Sequence, residues 1–324
     1  MIVQERPMPQ KPESAGQRRV AKPSVHVFAG NPLDRGERQR RDEAWISARA
    51  LDPNSRFLPL NELSILVSGG GLAWVGVDDL AGLGIEEAPV FLGLLDDRAY
   101  FAVDVTGLDG AIGQLEAADE SRFEDARAAA SYLSGPDAAM VAQARAQIDW
   151  HTRNRFCSVC GHESEPKRGG QKRECPNCRT EHFPRTDPVV IAVVSDGDRC
   201  LLGQSRGRLR RMRMYSALAG FVDQGESIEE AVSREVMEEA GLRIENIRYH
   251  SSQPWPFPSS LMIGCHGDAV TTEISMDEEE MTDVRWFHRE EVLRALEGAN
   301  AELAVPQPLA IAHHLIKAWA TGEV

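Results

Sequence analysis

The chain of 324 residues has no long apolar run. Its longest purely aliphatic stretch, Val189 to Val194, is far short of the ~20 residues that cross a bilayer, so no membrane span is expected. The first residues, Met1-Ile-Val-Gln-Glu-Arg-Pro, lack the continuous apolar core of a secretory signal, which argues against export and for a cytoplasmic location. Positive charge is in deficit. Lys+Arg number 36 against 50 Asp+Glu, a net charge of −14, and residues 1–41 alone hold nine basic against four acidic side chains, so the rest carries 27 against 46, or −19. A body this acidic argues against broad nucleic-acid binding by charge alone. With 42% hydrophobic and 27% charged residues, the composition is globular and too apolar for a chain disordered throughout. The length suits about two domains of ~100–200 residues. The basic start, with Pro7, Pro9, Pro12 and Pro23, reads as a flexible, solvated tail over residues 1–24.

Cysteine is also sparse, but four of the six residues fall as Cys157-x2-Cys160 and Cys175-x2-Cys178, while Cys200 and Cys265 stand alone. This is zinc-ribbon spacing: each C-x-x-C turn points two thiolates the same way, and two facing turns complete a tetrahedral sulfur shell suited to Zn2+. Disulfides are disfavoured in a chain without an export signal, and the doubled spacing disfavours a redox pair. Four thiolates fill the coordination sphere, so one structural zinc per chain is expected over residues 151–185. The intervening glycines and charged residues suit a short hairpin with little core, so the metal supplies its folding energy.

Residues from about Val25 to Ser134 alternate apolar and polar in short stretches such as Ser64-Ile-Leu-Val and Tyr100-Phe-Ala-Val-Asp-Val, within a domain spanning 25–150. They read as a small, mostly β domain ending in a helix over Ala138 to Trp150, without catalytic constellation or internal repeat. Beyond the ribbon, Val189 to Val194 and Cys200-Leu-Leu-Gly read as buried strands. The segment from Gly220 to Leu242 then reads as a loop entering a helix, with Ser227 and Glu230 as a capping box and Gly241 as the C-terminal cap. Ile228, Ala231, Val232 and Val236 share its core face, and Glu235, Glu238 and Glu239 line one edge. Such an edge could be merely solvated. Yet like charges at i, i+4 repel, and hard divalent cations such as Mg2+ or Mn2+ bound through these oxygens would turn the repulsion into affinity. Metal there could neutralise a diphosphate and activate water.

The order Gly220-x5-Glu226-x7-Arg234-Glu235-Val236-x-Glu238-Glu239-x-Gly241-Leu242 resembles the Nudix box at every fixed position. Downstream, Ser252-Gln-Pro-Trp-Pro-Phe-Pro-Ser-Ser260 is similar to the segment that marks the NADH pyrophosphatase branch, as is the zinc ribbon immediately before the Nudix part. The resemblance covers about Trp150 to Trp319. It implies an α+β chain whose Nudix α/β/α sandwich, residues 186–324, follows the ribbon and the small N-terminal domain. It also implies a metal-dependent hydrolase that cleaves the diphosphate of NADH or NAD+ into nicotinamide mononucleotide and AMP, in a family associated with removing NAD caps from RNA and with homodimers. Glu235, Glu239, Glu280 and the backbone of Ala219 would hold the divalent metal. Glu238 or Glu239 would orient or deprotonate water, and Arg234 would pair with Glu226. Substrate would lie against Gln253, Pro254, Trp255, Pro256, Phe257, Pro258, Ser259 and Ser260, with Phe183 and Ala312. Where Phe183 stands, relatives can carry tyrosine.

Physically, prolines alternating with Trp255 and Phe257 restrain φ at three positions, so aromatic faces could be preset for an adenine or nicotinamide ring. The P-x-P-x-P spacing differs from that of the usual proline-rich docking peptides. A broader dinucleotide or ADP-ribose hydrolase is the alternative of the same class. An inactive Nudix domain on a nucleic-acid-binding ribbon is the alternative of another class; residues 153–185 hold eight Lys/Arg against four Asp/Glu, a local +4 able to guide RNA. Retention of Glu235, Glu238 and Glu239 disfavours inactivity.

Overall fold

The computed structural model describes residues 26–118, 120–206 and 208–324. The tail expected over residues 1–24 lies outside them. The leading unit is a sheet of β1 (Arg56–Asn61), β2 (Ser64–Ser68), β3 (Gly71–Leu72), β4 (Val90–Leu95), β5 (Arg98–Asp104) and β6 (Arg122–Glu124). Its order is β3-β2-β1-β5-β4, with β6 also on β2; β1 runs parallel to β5 and the other pairs are antiparallel. Helices α1 (Glu43–Ala50), α2 (Val77–Leu80), α3 (Asp109–Ala117), α4 (Ala126–Ala129) and α5 (Gly135–Arg153) accompany it. Alternation across β1 places Leu58 and Leu60 against Val141, Ala144 and Ile148 of α5, and Phe57 against Ile46 of α1 and Leu115 of α3. Helices therefore cover both faces, more helix than the β-rich pattern announces.

The ribbon follows α5 as β7 (Glu165–Lys167), β8 (Lys172–Glu174) and β9 (Glu181–His182), one antiparallel sheet. Its hairpin turn plugs into the leading unit: Phe91 N donates to Gly169 O at 3.0 Å, and buried Arg40 donates to the carbonyls of Gly169 and Phe91. Gly169 sits at φ +60°, and a Cβ there would lie 2.9 Å from that of Phe91, so a side chain is excluded twice over.

The trailing unit contains β10 (Asp187–Asp196), β11 (Arg199–Ser205), α6 (Arg208–Met212), β12 (Leu218–Phe221), α7 (Ile228–Ala240), β13 (Ile244–Trp255), β14 (Ser260–Ala269), β15 (Met281–His288), α8 (Arg289–Leu296) and α9 (Ile311–Ala320). Central β10 shows why its apolar run is continuous. Val190, Ala192 and Val194 pack with Ala231, Val232 and Val236 of α7, while Ile191 and Val193 pack with Val292 of α8 and Leu315 and Ile316 of α9. This is an α/β/α sandwich.

The two sheets share one topology. Strands β6-β2-β1-β5-β4 correspond to β15-β11-β10-β14-β13 in the same chain order, each with its central pair parallel and its flanking pairs antiparallel. Where the trailing unit has the 13-residue α7, the leading unit has the four-residue α2. A repeat thus exists in the fold although none is visible in the sequence. Among the described residues no helix is long and apolar enough to cross a membrane.

Candidate active site and zinc centre

The two cysteine turns have the same backbone pattern. Cys157 N donates to His162 O and Gly161 N to Cys157 O, just as Cys175 N donates to Thr180 O and Arg179 N to Cys175 O. The four Sγ atoms lie within 4.8 Å of one another, with Cys157–Cys178 at 3.6 Å and Cys160–Cys175 and Cys160–Cys178 at 3.4 Å. Zn–S bonds of ~2.3 Å require tetrahedral edges of about 3.8 Å, close to this spacing, whereas a disulfide requires ~2.05 Å. Backbone donation at His162 and the Asn177 amide favour the Cys160 thiolate, taking its pKa down to about 5.

On α7, the expected capping box is present and Gly241 caps the C-terminus at φ +69°. Arg234 organises the loop before it. Its Nε and Nη2 donate to Glu226 at 2.6 and 2.8 Å, its Nη1 to Glu235 at 2.8 Å and Glu238 at 2.9 Å, and its Nη2 to Phe221 O at 2.9 Å. The forked contact, with Asp223 N–H, holds Glu226 down to about pKa 2. Gly220 is a steric requirement: a Cβ there would lie 2.0 Å from the Glu235 carboxyl carbon.

No hydrogen bond or ion pair joins Arg234 to Glu239 among the described residues. That carboxylate is 6% exposed, and its Oε2 has no hydrogen-bond partner. Burial, then the charges of Glu235 and Glu280, push it up to about pKa 8 against a hydrogen bond from the backbone of Ala219. Burial likewise raises Glu235. Glu235, Glu239, Glu280 and Ala219 are therefore neighbours. Among the described residues only the cysteines bring three or more ligand atoms within 4.8 Å of one another, so these carboxylates repel without closing as tightly. A buried, unpartnered carboxylate oxygen among like charges fits a hard divalent cation.

The aromatic loop borders two spaces. A cavity of 250 Å³ is lined by Ile191, Ser216, Gln253, Trp255, Met262 and Ala312. On the other side of Trp255, a crevice of 560 Å³ gathers Pro254, Pro256, Ser259 and Ser260 with Phe28 and Asn31. The leading unit grips the loop: Arg145 Nε donates to Pro256 O at 2.8 Å, and its guanidinium sits 4.9 Å from the Phe257 ring centre. Arg127 lies 4.4 Å from Phe257 and 5.3 Å from Trp255.

Residues 185–306 match the NUDIX domain, 54–150 the NADH pyrophosphatase-like rudimentary NUDIX domain, and 152–183 the NADH pyrophosphatase zinc ribbon domain. The chain belongs to the NADH pyrophosphatase family of Nudix hydrolases. It is 37% identical to NAD-capped RNA hydrolase NUDT12 of Macaca fascicularis, covering 91% of this chain and 73% of the relative. It is 41% identical to mitochondrial NAD(P)H pyrophosphatase NUDT13 of Mus musculus, over 72% and 71%. With NAD-capped RNA hydrolase NudC of Mycobacterium bovis (strain BCG) the identity is 35%, over 93% and 96%. As a Nudix hydrolase it needs a divalent metal, and the rudimentary domain accounts for the repeated topology.

In this Nudix hydrolase three expected substrate residues have distinct surroundings, and Gln253, although it lines the cavity, is held by the backbone on every side. Gln253 is fully buried: its Nε2 donates to Val27 O and Leu309 O, and its Oε1 accepts from Ile311 N. With its amide hydrogens so engaged, it ties the N-terminal segment and α9 to the loop. Phe257 packs into the leading unit's core between two guanidinium groups. Phe183 is 57% exposed and borders neither space. Sequence reading passed over Phe221, an aromatic directly after Gly220 that is 61% exposed while its carbonyl is held by Arg234. It closes β12 just before the polar Asp223-Gln-Gly-Glu226 turn, and an aromatic at that strand end was the available signal.

Proposed function

We propose that this enzyme hydrolyses the diphosphate of NADH and NAD+, giving nicotinamide mononucleotide and AMP, and removes the same cap from RNA 5′ ends. What carries this reading is an intact acidic box beside a braced aromatic loop and its cavity, in a chain whose relatives bear the names given above. Water adds across the anhydride: one P–O bond to the bridging oxygen breaks, the water oxygen joins one phosphorus, and its proton is taken up. Glu239, or Glu238 at the rim, accepts that proton, and Arg234 fixes the loop that carries both the box and exposed Phe221. Glu235, Glu239, Glu280 and the Ala219 carbonyl would hold Mg2+ or Mn2+, which supplies charge neutralisation and acidifies water. Incubation of NADH with either metal should give equimolar reduced nicotinamide mononucleotide and AMP by chromatography. No turnover with both would leave the ribbon as a binding module on an inactive Nudix domain.

If Trp255 forms a preset face, Trp255→Ala should lose roughly 0.5–1.5 kcal/mol of stacking, a fall of about 2- to 12-fold in kcat/KM for NADH. Hydrolysis of a diphosphate without a second ring should suffer less; an equal fall would mean that Trp255 supports only the fold. Phe156, Val159 and Phe183 are 64%, 70% and 57% exposed on and beside the ribbon, apolar side chains of the kind that a two-fold homodimer would cover. Light scattering should give twice the 35.7 kDa chain mass, and a monomer at micromolar concentration would exclude it. The thiols favour a reducing compartment, in keeping with the cytoplasm.

A further inference from the structure

Two stretches are rich in positive charge, and the structure treats them oppositely. In residues 153–185 the eight basic side chains are already engaged. Arg153 pairs with Asp149, Arg155 with Glu163, Lys167 with Glu165, Arg168 with Glu37, Lys172 and Arg179 with Glu174, and Arg185 with Asp187. The eighth, Arg173, is buried and donates to Ser164. The ribbon's local +4 is therefore compensated, which weakens it as a guide for RNA.

Between β11 and β12, five arginines fall from position 206 to 213 with no acidic residue among them. Arg206, Arg210, Arg211 and Arg213 are exposed, and among the described residues none forms an ion pair with a carboxylate. The segment stands at the site. Arg206 N donates to Glu280 O at 2.9 Å and its Nε to Glu278 O at 3.0 Å, while Leu209 and Met214 line the cavity that holds Trp255 and Ala312. Like charges this close repel one another, and the acidic loop beside them meets Arg206 through backbone oxygens. In a molecule of net charge −14, this is a positive surface whose described arginines form no ion pair, and it adjoins the carboxylates of the candidate site.

We propose that Arg210, Arg211 and Arg213 dock the first phosphates of the RNA chain that continues from an NAD cap. This rests on the cap-removing reading of the site. In a capped RNA the chain leaves from the adenosine ribose, and each nucleotide adds one phosphate; free NADH has nothing beyond that point. Guanidinium groups match phosphate oxygens in a forked geometry, and the acidic remainder of the surface repels the strand from other paths.

The test is the variant Arg210→Gln/Arg211→Gln/Arg213→Gln on the full chain, assayed with NADH and with an NAD-capped single-stranded RNA of about ten nucleotides. NADH kinetics should stay within about two-fold, which also certifies folding, while kcat/KM for capped RNA falls by about 10-fold or more. At ~0.7 per phosphate contact on a single strand, the slope of log(kcat/KM) against log[salt] should shrink by about 2. The corresponding triple Lys variant, which keeps the charge but loses the fork, should keep the salt slope and only part of the RNA activity. An unchanged RNA rate and salt slope would overturn the proposal, as would an equal fall for both substrates. If the unmodified chain hydrolyses NADH but not capped RNA, the cap-removing reading fails and the docking role with it.

Discussion

Glu239→Gln is expected to lower kcat for NADH by ~10²-fold or more while the melting temperature holds or rises. The carboxylate is buried, is left out of the Arg234 network and is destabilised as an anion by Glu235 and Glu280. Exchange for an amide of the same shape removes a group that is costly to ionise where it is buried, while the amide oxygen can still accept from the Ala219 backbone, so the fold is not weakened. Catalysis loses both a hard oxygen ligand and a proton acceptor. On the same helix Glu229 is exposed, and Glu229→Gln should leave turnover unchanged. Near-normal kcat in Glu239→Gln would show that the acidic edge is only a solvated face.

The sequence disclosed what depends on local chemistry at fixed spacing. The cysteine turns, the capping box, Gly241 and the two-sided burial of β10 each follow from a few neighbouring residues, and each is present in the fold. Three things were hidden because distant contacts decide them. The leading unit repeats the trailing topology, but the helix that would advertise this has shrunk to Val77–Leu80 and carries no box. Gln253 lines the cavity as part of the aromatic segment, and partners 226 and 56 residues away make it a strut as well, which no local pattern shows. Charge counts flagged the ribbon, whose cations prove paired, and not the 206–213 segment, whose described arginines are unpaired; composition does not record partners.

The hold of Arg145 on Pro256 and of Arg40 on the ribbon turn gives the leading unit a structural purpose, beside the lining it lends the two spaces through Arg127, Phe28 and Asn31. It fixes two elements that the trailing unit needs placed, the aromatic loop and the ribbon. Rigid support for a binding loop lowers the ordering entropy charged on each encounter with substrate.

That coupling makes Cys175→Ser the most damaging single change to stability. Within residues 152–183 the buried side chains are Cys157, Cys175, Ser164 and Arg173, so the ribbon has almost no apolar core apart from its thiols. Structural zinc contributes apparent folding energies of about 10–16 kcal/mol in finger-sized peptides at neutral pH, and replacing one of the four thiolates with a poorly ligating hydroxyl weakens that binding. Wild-type protein should hold one zinc per chain by elemental analysis, and Cys175→Ser much less. Because the ribbon turn is inserted against Phe91 and Arg40, loss of the ribbon should loosen the leading unit too, lowering both the melting temperature and NADH turnover. Chelation separates this from the active-site metal: activity restored to a chelated, still-folded sample by Mg2+ or Mn2+ alone reports the catalytic carboxylates, whereas the lowered melting temperature should recover only with Zn2+. A zinc-free chain that melts at the wild-type temperature would sink the structural role.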